Sequence, residues 1–262
     1  ILTASANGCS DKASVKVAVN ANPIVDFKSD NVCIGNTTSF TNLSTGAATY
    51  TWNFGDASSS GALHPTHKYA SANTYTVQLT GTTSEGCSDS KSASTVVYAK
   101  PTVGFSQSSV CVGTSMIFSN TSSAGNSMWN FGDGYTSSTT SPSHTYTKSG
   151  SFNVNLKVTN GFGCSEEVTK SVSVYAEPSA GFTASDVCQG SSVAFANTST
   201  GASTYSWDFG DTRSSSATSP SHLYAASGTY TVVLEATSSN GCKSTYSSKV
   251  TVNANPTATF IA

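Results

Sequence analysis

Charge is scarce in this chain of 262 residues, because only 10% of them are Asp, Glu, Lys or Arg and the net charge is −2. About a quarter is usual for a soluble protein. Twelve scattered basic residues cannot neutralise a run of phosphates, so binding to nucleic acid is not expected. The longest apolar runs have about four residues, too few to span a bilayer, so no membrane insertion is expected of this segment. The residues that follow Ile1 are not expected to be a signal peptide.

Several short motifs of catalytic and metal sites are missing as well. The chain contains no Gly-x-Ser-x-Gly elbow, no Cys-x-x-Cys pair and no Asp-x-Asp-x-Asp run. No stretch of twelve residues has helical periodicity. What is present is alternation of period two, with Gly, Ser or Asn about every ten residues, and Ser and Thr fill about a third of all positions. These features predict an all-β protein with a surface of neutral polar groups.

One pattern recurs with a period of 77 or 78 residues. Each copy contains Trp-(Asn/Asp)-Phe-Gly-Asp, then Pro-x-His-x-Tyr, then an aromatic-x-Val-x-Leu strand. The repeated positions are Trp52, Trp129 and Trp207; Asp56, Asp133 and Asp211; His67, His144 and His222; and Tyr69, Tyr146 and Tyr224. The complete repeats are predicted at 23–99, 100–176 and 177–254. Residues 1–22 then end a preceding repeat and 255–262 begin a following one, so the chain is expected to be a window on a longer array.

The first repeat illustrates the strands that the alternation predicts. They lie at 24–28, 38–43, 49–54, 75–82 and 89–98, with a weak pair within 58–69. Six or seven short strands in 77 residues favour a two-sheet sandwich of immunoglobulin-like architecture. In such a fold the single Trp of each repeat belongs in the core, and the Tyr after the His belongs at a tyrosine corner.

These three motifs, in register three times, closely resemble the PKD (polycystic kidney disease) domain. Small departures occur, such as Asn53 and Asn130 in place of the motif Asp. The resemblance implies tandem immunoglobulin-like sandwiches in an elongated head-to-tail array, of the cysteine-containing type seen in long surface and secreted proteins of gliding bacteria.

It also implies a function for the array. We expect non-catalytic extracellular modules that form the stalk or filament of a large bacterial cell-surface protein, serving adhesion, gliding or surface attachment. The alternative is a set of carbohydrate- or protein-binding accessory modules of a secreted hydrolase. The expected partners are neighbouring repeats, surface polysaccharide or other copies in a filament, and no cofactor is expected.

Seven cysteines follow the same period and indicate an oxidising compartment. The early cysteines of the repeats are Cys33, Cys111 and Cys188, and the late ones are Cys9, Cys87, Cys164 and Cys242. All seven are predicted to form structural disulfides. Pairing within a repeat is the obvious scheme, but Cys33 and Cys87 would lie in turns at opposite ends of a sandwich, roughly 25 Å apart. The other scheme joins neighbouring repeats, Cys33 to Cys164 and Cys111 to Cys242, and leaves the remaining three for further repeats.

The repeated histidines and aspartates are the candidates for a catalytic or metal-binding role. Because His67, His144 and His222 occupy one repeated slot, we favour a structural role over catalysis for them. Asp56, Asp133 and Asp211 follow a turn Gly and are expected to cap backbone N–H groups, with calcium binding as a weaker alternative. Asn42, Asn120 and Asn197 stand in Asn-x-Ser/Thr sequons, as does Asn36, and turn chemistry is the favoured interpretation. Tyr135 is the candidate for an exposed aromatic side chain that could stack on a sugar.

Overall fold

The computed structural model describes residues 1–258, and this part of the chain contains strands and turns but no helix. The all-β, immunoglobulin-like prediction is confirmed. Contacts divide the described residues into two units, one of residues 1–102 with 159–166 and the other of 103–158 with 167–258. The end of the partial repeat predicted at 255–262 lies outside the described residues. No helix long and apolar enough to cross a membrane occurs among the described residues.

The first unit begins with a short hairpin and continues with the first repeat. The hairpin is β1 (Leu2–Ala6) and β2 (Cys9–Ala13). The strands of the first repeat are β3 (Phe27–Ser29), β4 (Val32–Cys33), β5 (Thr38–Asn42), β6 (Thr49–Asn53), β7 (Ser59–Ser60), β8 (Thr66–His67), β9 (Asn73–Thr82) and β10 (Ser88–Tyr98).

The second repeat has the same plan, except that the counterpart of β5 is divided into two short strands at Phe118. Its strands are β11 (Phe105–Ser106), β12 (Val110–Cys111), β13 (Ser115–Ile117), β14 (Ser119–Asn120), β15 (Asn126–Asn130), β16 (Thr136–Ser137), β17 (Ser143–Thr145), β18 (Gly150–Thr159) and β19 (Ser165–Tyr175). The tip between β18 and β19 belongs to the first unit.

The third repeat lies in the second unit. Its strands are β20 (Phe182–Thr183), β21 (Val187–Cys188), β22 (Val193–Ala194), β23 (Ala196–Asn197), β24 (Thr204–Asp208), β25 (Ser214–Ser215), β26 (Ser221–His222), β27 (Gly228–Thr237) and β28 (Lys243–Asn253).

Each repeat builds one five-stranded sheet and a smaller set of strands opposite it. In the first repeat the large sheet has the order β4-β10-β9-β6-β7, and the small one has the order β3-β5-β8. Tyr75, Val77 and Leu79 of β9 are buried, while Thr76 and Gln78 between them are exposed, as alternation of period two requires. Phe27 and Phe40 of the small sheet meet Trp52 of the large one in a single core.

The predicted strands of the first repeat differ from the structure in two places. The first strand was expected at 24–28 but is β3 (Phe27–Ser29), because Ile24 makes only an isolated bridge with Thr45. The sequence also gave no sign of β4, which has two residues and pairs in parallel with Val97 and Tyr98 at the end of the repeat. A pair this short has no periodicity to detect.

Candidate functional site

A stack of rings surrounds the repeated histidine in every repeat. In the first, the ring of His67 lies parallel to that of Phe54, with centroids 4.4 Å apart and planes 4° apart. The ring of Tyr69 meets His67 edge-on at 4.5 Å, and the Tyr69 hydroxyl donates to the carbonyl of Phe54 at 3.0 Å. Tyr75 then stacks on Tyr69 at 3.9 Å. The chain therefore holds the imidazole between a phenylalanine face and a tyrosine edge.

The same arrangement recurs in the other two repeats. Phe131 and His144 stack at 4.3 Å, and Phe209 and His222 at 4.2 Å. Their corner tyrosines, Tyr146 and Tyr224, each donate to a phenylalanine carbonyl at 3.0 Å. Burial raises the pKa of all three corner tyrosines, and that of Tyr224 reaches about 12. The phenols are therefore un-ionised donors over the ordinary pH range.

Each histidine also contacts the aspartate of its repeat. The Nε2 to Oδ2 distances are 2.6 Å for His67 with Asp56, and 2.7 Å for both His144 with Asp133 and His222 with Asp211. The other carboxylate oxygen of each aspartate accepts a hydrogen bond from the backbone N–H two residues later. These aspartates thus cap backbone N–H groups in a turn and hold the imidazole at the same time.

Opposing effects act on the carboxyl groups of Asp56 and Asp211. Partial burial acts to raise the pKa of each. For Asp56 the hydrogen bonds from Ser58 and His67 outweigh burial and bring the pKa below its ordinary value. For Asp211 the hydrogen bonds from His222 and from the backbone of Arg213 do the same. Both carboxyl groups are therefore ionised near neutral pH.

Only the first repeat places a hydroxyl beside this pair. Ser58 Oγ lies 3.2 Å from His67 Nε2 and also contacts Asp56 Oδ1. In a Ser-His-Asp relay the serine and the aspartate face different ring nitrogens. Here Nε2 faces both groups, so the imidazole cannot pass a proton from one to the other. The second and third repeats have Tyr135 and Arg213 at this position.

The structure also places the other residues that the sequence singled out, which are the repeated tryptophans, the sequon asparagines and Tyr135. Trp52, Trp129 and Trp207 are fully buried, and each donates through Nε1 to a carbonyl ten residues later. Each of the three sequon asparagines at the repeated position accepts, through Oδ1, a hydrogen bond from the backbone N–H two residues later; they are Asn42, Asn120 and Asn197. The Tyr135 ring is 67% exposed. No group of three or more His, Cys, Asp or Glu that could hold a metal ion occurs within residues 1–258.

The cysteines form the inter-repeat pairs. Cys33 bonds Cys164 with a Cα–Cα distance of 5.5 Å, and Cys111 bonds Cys242 at 5.6 Å. In the part of the chain that the structure describes, the pairs within a repeat are not formed, and the free thiols are those of Cys9, Cys87 and Cys188.

Each disulfide connects two defined backbone elements, which we call the early turn and the late loop. The early turn comprises the early cysteine and its three following residues, and the late loop comprises the late cysteine and its four preceding residues. The first disulfide joins the early turn 33–36 of the first repeat to the late loop 160–164 of the second. The second joins 111–114 of the second repeat to 238–242 of the third. Every bond therefore crosses from one repeat to the next.

Side chains reinforce the first of these junctions. The Phe162 ring stacks on Tyr98 with centroids 4.3 Å apart. The side-chain amide of Asn160 donates to the carbonyl of Ala99 at 2.9 Å, and Lys100 pairs with Glu166 at 2.9 Å. This cluster could not be predicted from the sequence, because no repeated motif includes the position of Phe162. The third repeat has Asn240 at the equivalent position.

Comparisons with known proteins match single repeats in some cases and most of the chain in others. A family model described as PKD domain matches three times, over residues 20–98, 98–176 and 175–253. The PKD1 domain of Vibrio anguillarum Epp is 32% identical over 30% of this chain and 96% of that one, with a TM-score of 0.28. The PKD1 domain of the Vibrio cholerae metalloprotease PrtV is 31% identical over 29% of this chain and 98% of that one, with a TM-score of 0.27. A structure from a 1.5-MDa bacterial ice-binding adhesin is 14% identical over 88% of this chain and 98% of that one, with a TM-score of 0.35.

Proposed function

Because this chain belongs to the PKD domain family over three consecutive domains, we propose that it is a non-catalytic, extracellular segment of the stalk or filament of a large bacterial cell-surface protein. The observation that carries this proposal is the crossing of each disulfide from one repeat to the next. A disulfide that served only the stability of one sandwich would join two points of that sandwich. A bond between neighbours instead holds the repeats together when the chain is pulled.

The chemistry of the repeats supports a mechanical rather than a catalytic role. The His–Asp pairs recur in identical structural stacks, and the Asp carboxylates are engaged by backbone N–H groups and imidazole. Disulfides persist in oxidising compartments, which favours the exterior of the cell. The low charge also suits a protein with many similar repeats, because charge patterns that repeat along an array would add to one another.

The two disulfides overlap along the chain and so limit how far it can be extended. The shortest covalent path between the termini runs to Cys33, crosses to Cys164, returns along the backbone to Cys111, crosses to Cys242 and continues to the end. At about 3.5 Å per extended residue, this path is about two-fifths as long as the unlinked chain. The linked chain therefore resists extension even after its cores have unfolded.

Single-molecule force spectroscopy tests the proposal on the full chain, with handles fused to both termini. The maximum extension without reductant is expected to be about two-fifths of that measured in dithiothreitol. The double variant C33S/C164S retains only the second link and should extend to about half of the reduced length. C111S/C242S is the matched variant and should give about the same half.

Two results would overturn the proposal. One is an extension that does not change when reductant is added, since the disulfides would then carry no tension. The other is saturable binding of a soluble polysaccharide to the intact chain, which would assign the repeats to the accessory role beside a hydrolase.

A further inference from the structure

The large sheet of the second repeat ends in an open edge strand. β16 pairs with β15 on one side and, within residues 1–258, with no strand on the other. A groove of about 450 Å³ runs beside it, lined by Met128 and by residues 136–139. We propose that this edge takes up an extended, uncharged peptide segment of another protein as an additional strand, with a long apolar side chain of that segment over Met128.

The backbone of this edge has hydrogen-bonding groups to offer. The N–H of Phe131 donates to the carbonyl of Tyr135 at 3.0 Å, and Ser137, two residues later, faces β15 in the same register. In an antiparallel pair, hydrogen-bonded and non-hydrogen-bonded positions alternate, and the latter direct their N–H and C=O groups outward. Those of Thr136 and Ser138 therefore point away from the sheet. No hydrogen bond joins them to another residue of the described chain.

The free backbone groups favour a main chain as the occupant. They recur at every second residue, about 6.8 Å apart along a strand, and an extended peptide presents donors and acceptors at the same interval. No Asp, Glu, Lys or Arg lines the groove. A charged segment would lose hydration there without meeting an opposite charge. An uncharged peptide in the extended conformation is therefore the complementary partner.

Met128 adds a side-chain contact to these main-chain bonds. Its side chain is 63% exposed on the outer face of β15, because Ser127 and Trp129 on either side of it are buried. An added strand would lie about 10 Å from β15, which is two strand spacings. The small side chains of Thr136 and Ser138 occupy the space between them. A long apolar side chain of the added strand can therefore reach across to the flexible thioether.

The other two repeats share the edge but differ beside it. β7 and β25 end their sheets as β16 does. The position of Met128 is taken by Thr51 in the first repeat and by Ser206 in the third, and neither offers an apolar contact of this size. Arg213 also places a charge next to β25. Binding is therefore expected at the second repeat.

Contacts between repeats leave this edge free. The disulfides that cross between repeats join early turns to late loops, and the ring stack, hydrogen bond and ion pair of the first junction lie within 98–100 and 160–166. Residues 128–139 take part in none of these contacts. Natural edge strands are commonly protected by charged residues or proline, and residues 134–141 contain neither.

Binding of a synthetic peptide to the full chain tests the inference. The peptide is acetyl-Gly-Ser-Thr-Leu-Thr-Leu-Thr-Ser-Gly-amide, and its matched control has N-methyl groups on the five central residues. NMR measures amide exchange with solvent residue by residue. At a peptide concentration of about ten times Kd, exchange at Thr136 and Ser138 should slow about tenfold, while that at Ser59 and Ser214 stays unchanged. The methylated peptide should have no effect, because its central amides cannot donate.

Two variants move the site between repeats. M128T installs the residue of the first repeat and should weaken the peptide about tenfold, since it removes one apolar side-chain contact. T51M installs methionine in the first repeat and should make the peptide slow amide exchange at Ser59. Both positions are exposed, so neither substitution disturbs a core.

Several results would overturn the inference. They are unchanged exchange at Thr136 and Ser138, an equal effect of the methylated peptide, equal protection of all three edges, unchanged affinity in M128T, or no protection of Ser59 in T51M. Protection that rises with protein concentration without peptide would assign the edge to a second copy of this chain instead. The inference goes beyond the stalk proposal, whose test measures extension within a single chain. Failure of one is therefore distinguishable from failure of the other.

Discussion

The imidazole of His222 lies flat against the ring of Phe209, with centroids 4.2 Å and planes 4° apart, while its Nε2 contacts Asp211 at 2.7 Å. Aromatic stacking and a charge-assisted hydrogen bond therefore act on one ring from two directions. This relationship explains why the Phe-Gly-Asp and Pro-x-His-x-Tyr strings recur together, since each supplies half of the contact.

Replacing this histidine should destabilise the third repeat. We expect H222A to lose about 2 kcal/mol, because it removes the stacked ring and leaves the Asp211 carboxylate without its imidazole partner. Hydrogen exchange of the β27 amides, followed by mass spectrometry, measures the loss locally. The neighbouring variant L223A, at an exposed position, should change exchange little. Equal effects of the two variants would contradict the role given to the stack.

Acid should weaken the same repeat through Asp211. The pKa of its carboxyl is lower in the folded chain than the ordinary value of 3.8, so the unfolded chain binds a proton more readily. The contribution to stability is therefore complete above about pH 4 and is lost as the pH falls through the folded pKa. Thermal unfolding between pH 2 and 7 should show this loss in the natural chain and a flatter profile in D211N. A D211N profile as steep as that of the natural chain would rule Asp211 out as the cause.

Alkali should act through Tyr224. Burial raises the pKa of its phenol from 10.0 to about 12, so folding favours the protonated form. The resulting stabilisation is present below pH 10 and is lost as the pH rises toward 12. Y224F removes the hydrogen bond to the Phe209 carbonyl and should cost about 1–3 kcal/mol at neutral pH. Y230F is the control, because the Tyr230 hydroxyl donates at an exposed site. Spectrophotometric titration of Y224F should show one fewer of the three phenols whose pKa burial raises.

Periodicity made much of this fold predictable. Alternation located the long strands, since Tyr75, Val77 and Leu79 of β9 mark a buried face that recurs in every repeat. The repeated Trp and Tyr indicated a sandwich core, because large side chains at a fixed period need the same environment each time. The cysteine period, together with the reach of a disulfide, favoured bonds between neighbours.

Other features were invisible because they depend on contacts that leave no pattern. Val32 pairs in parallel with Val97, which is 65 residues later in the sequence, and this pairing is only two residues long. The Tyr98–Phe162 stack occurs at one junction only, so repetition could not reveal it. His67 Nε2 contacts both Ser58 and Asp56. Which ring nitrogen faces which group depends on the orientation of the imidazole, and residue types alone do not determine that orientation.

The glycine of the Phe-Gly-Asp string offers the sharpest test of backbone geometry. Gly132 has φ of +83°, and a Cβ added there would lie 2.7 Å from the backbone oxygen of Asn153. Gly134, two residues later, has φ of +98° but open space around it. G134A should therefore cost only the strain of a positive φ, about 1–2 kcal/mol. G132A adds a clash with a backbone atom that no rotamer change relieves, and we expect a loss of about 3 kcal/mol or more. Thermal unfolding of the two variants measures the difference, and equal losses would show that β18 moves away from the turn without cost.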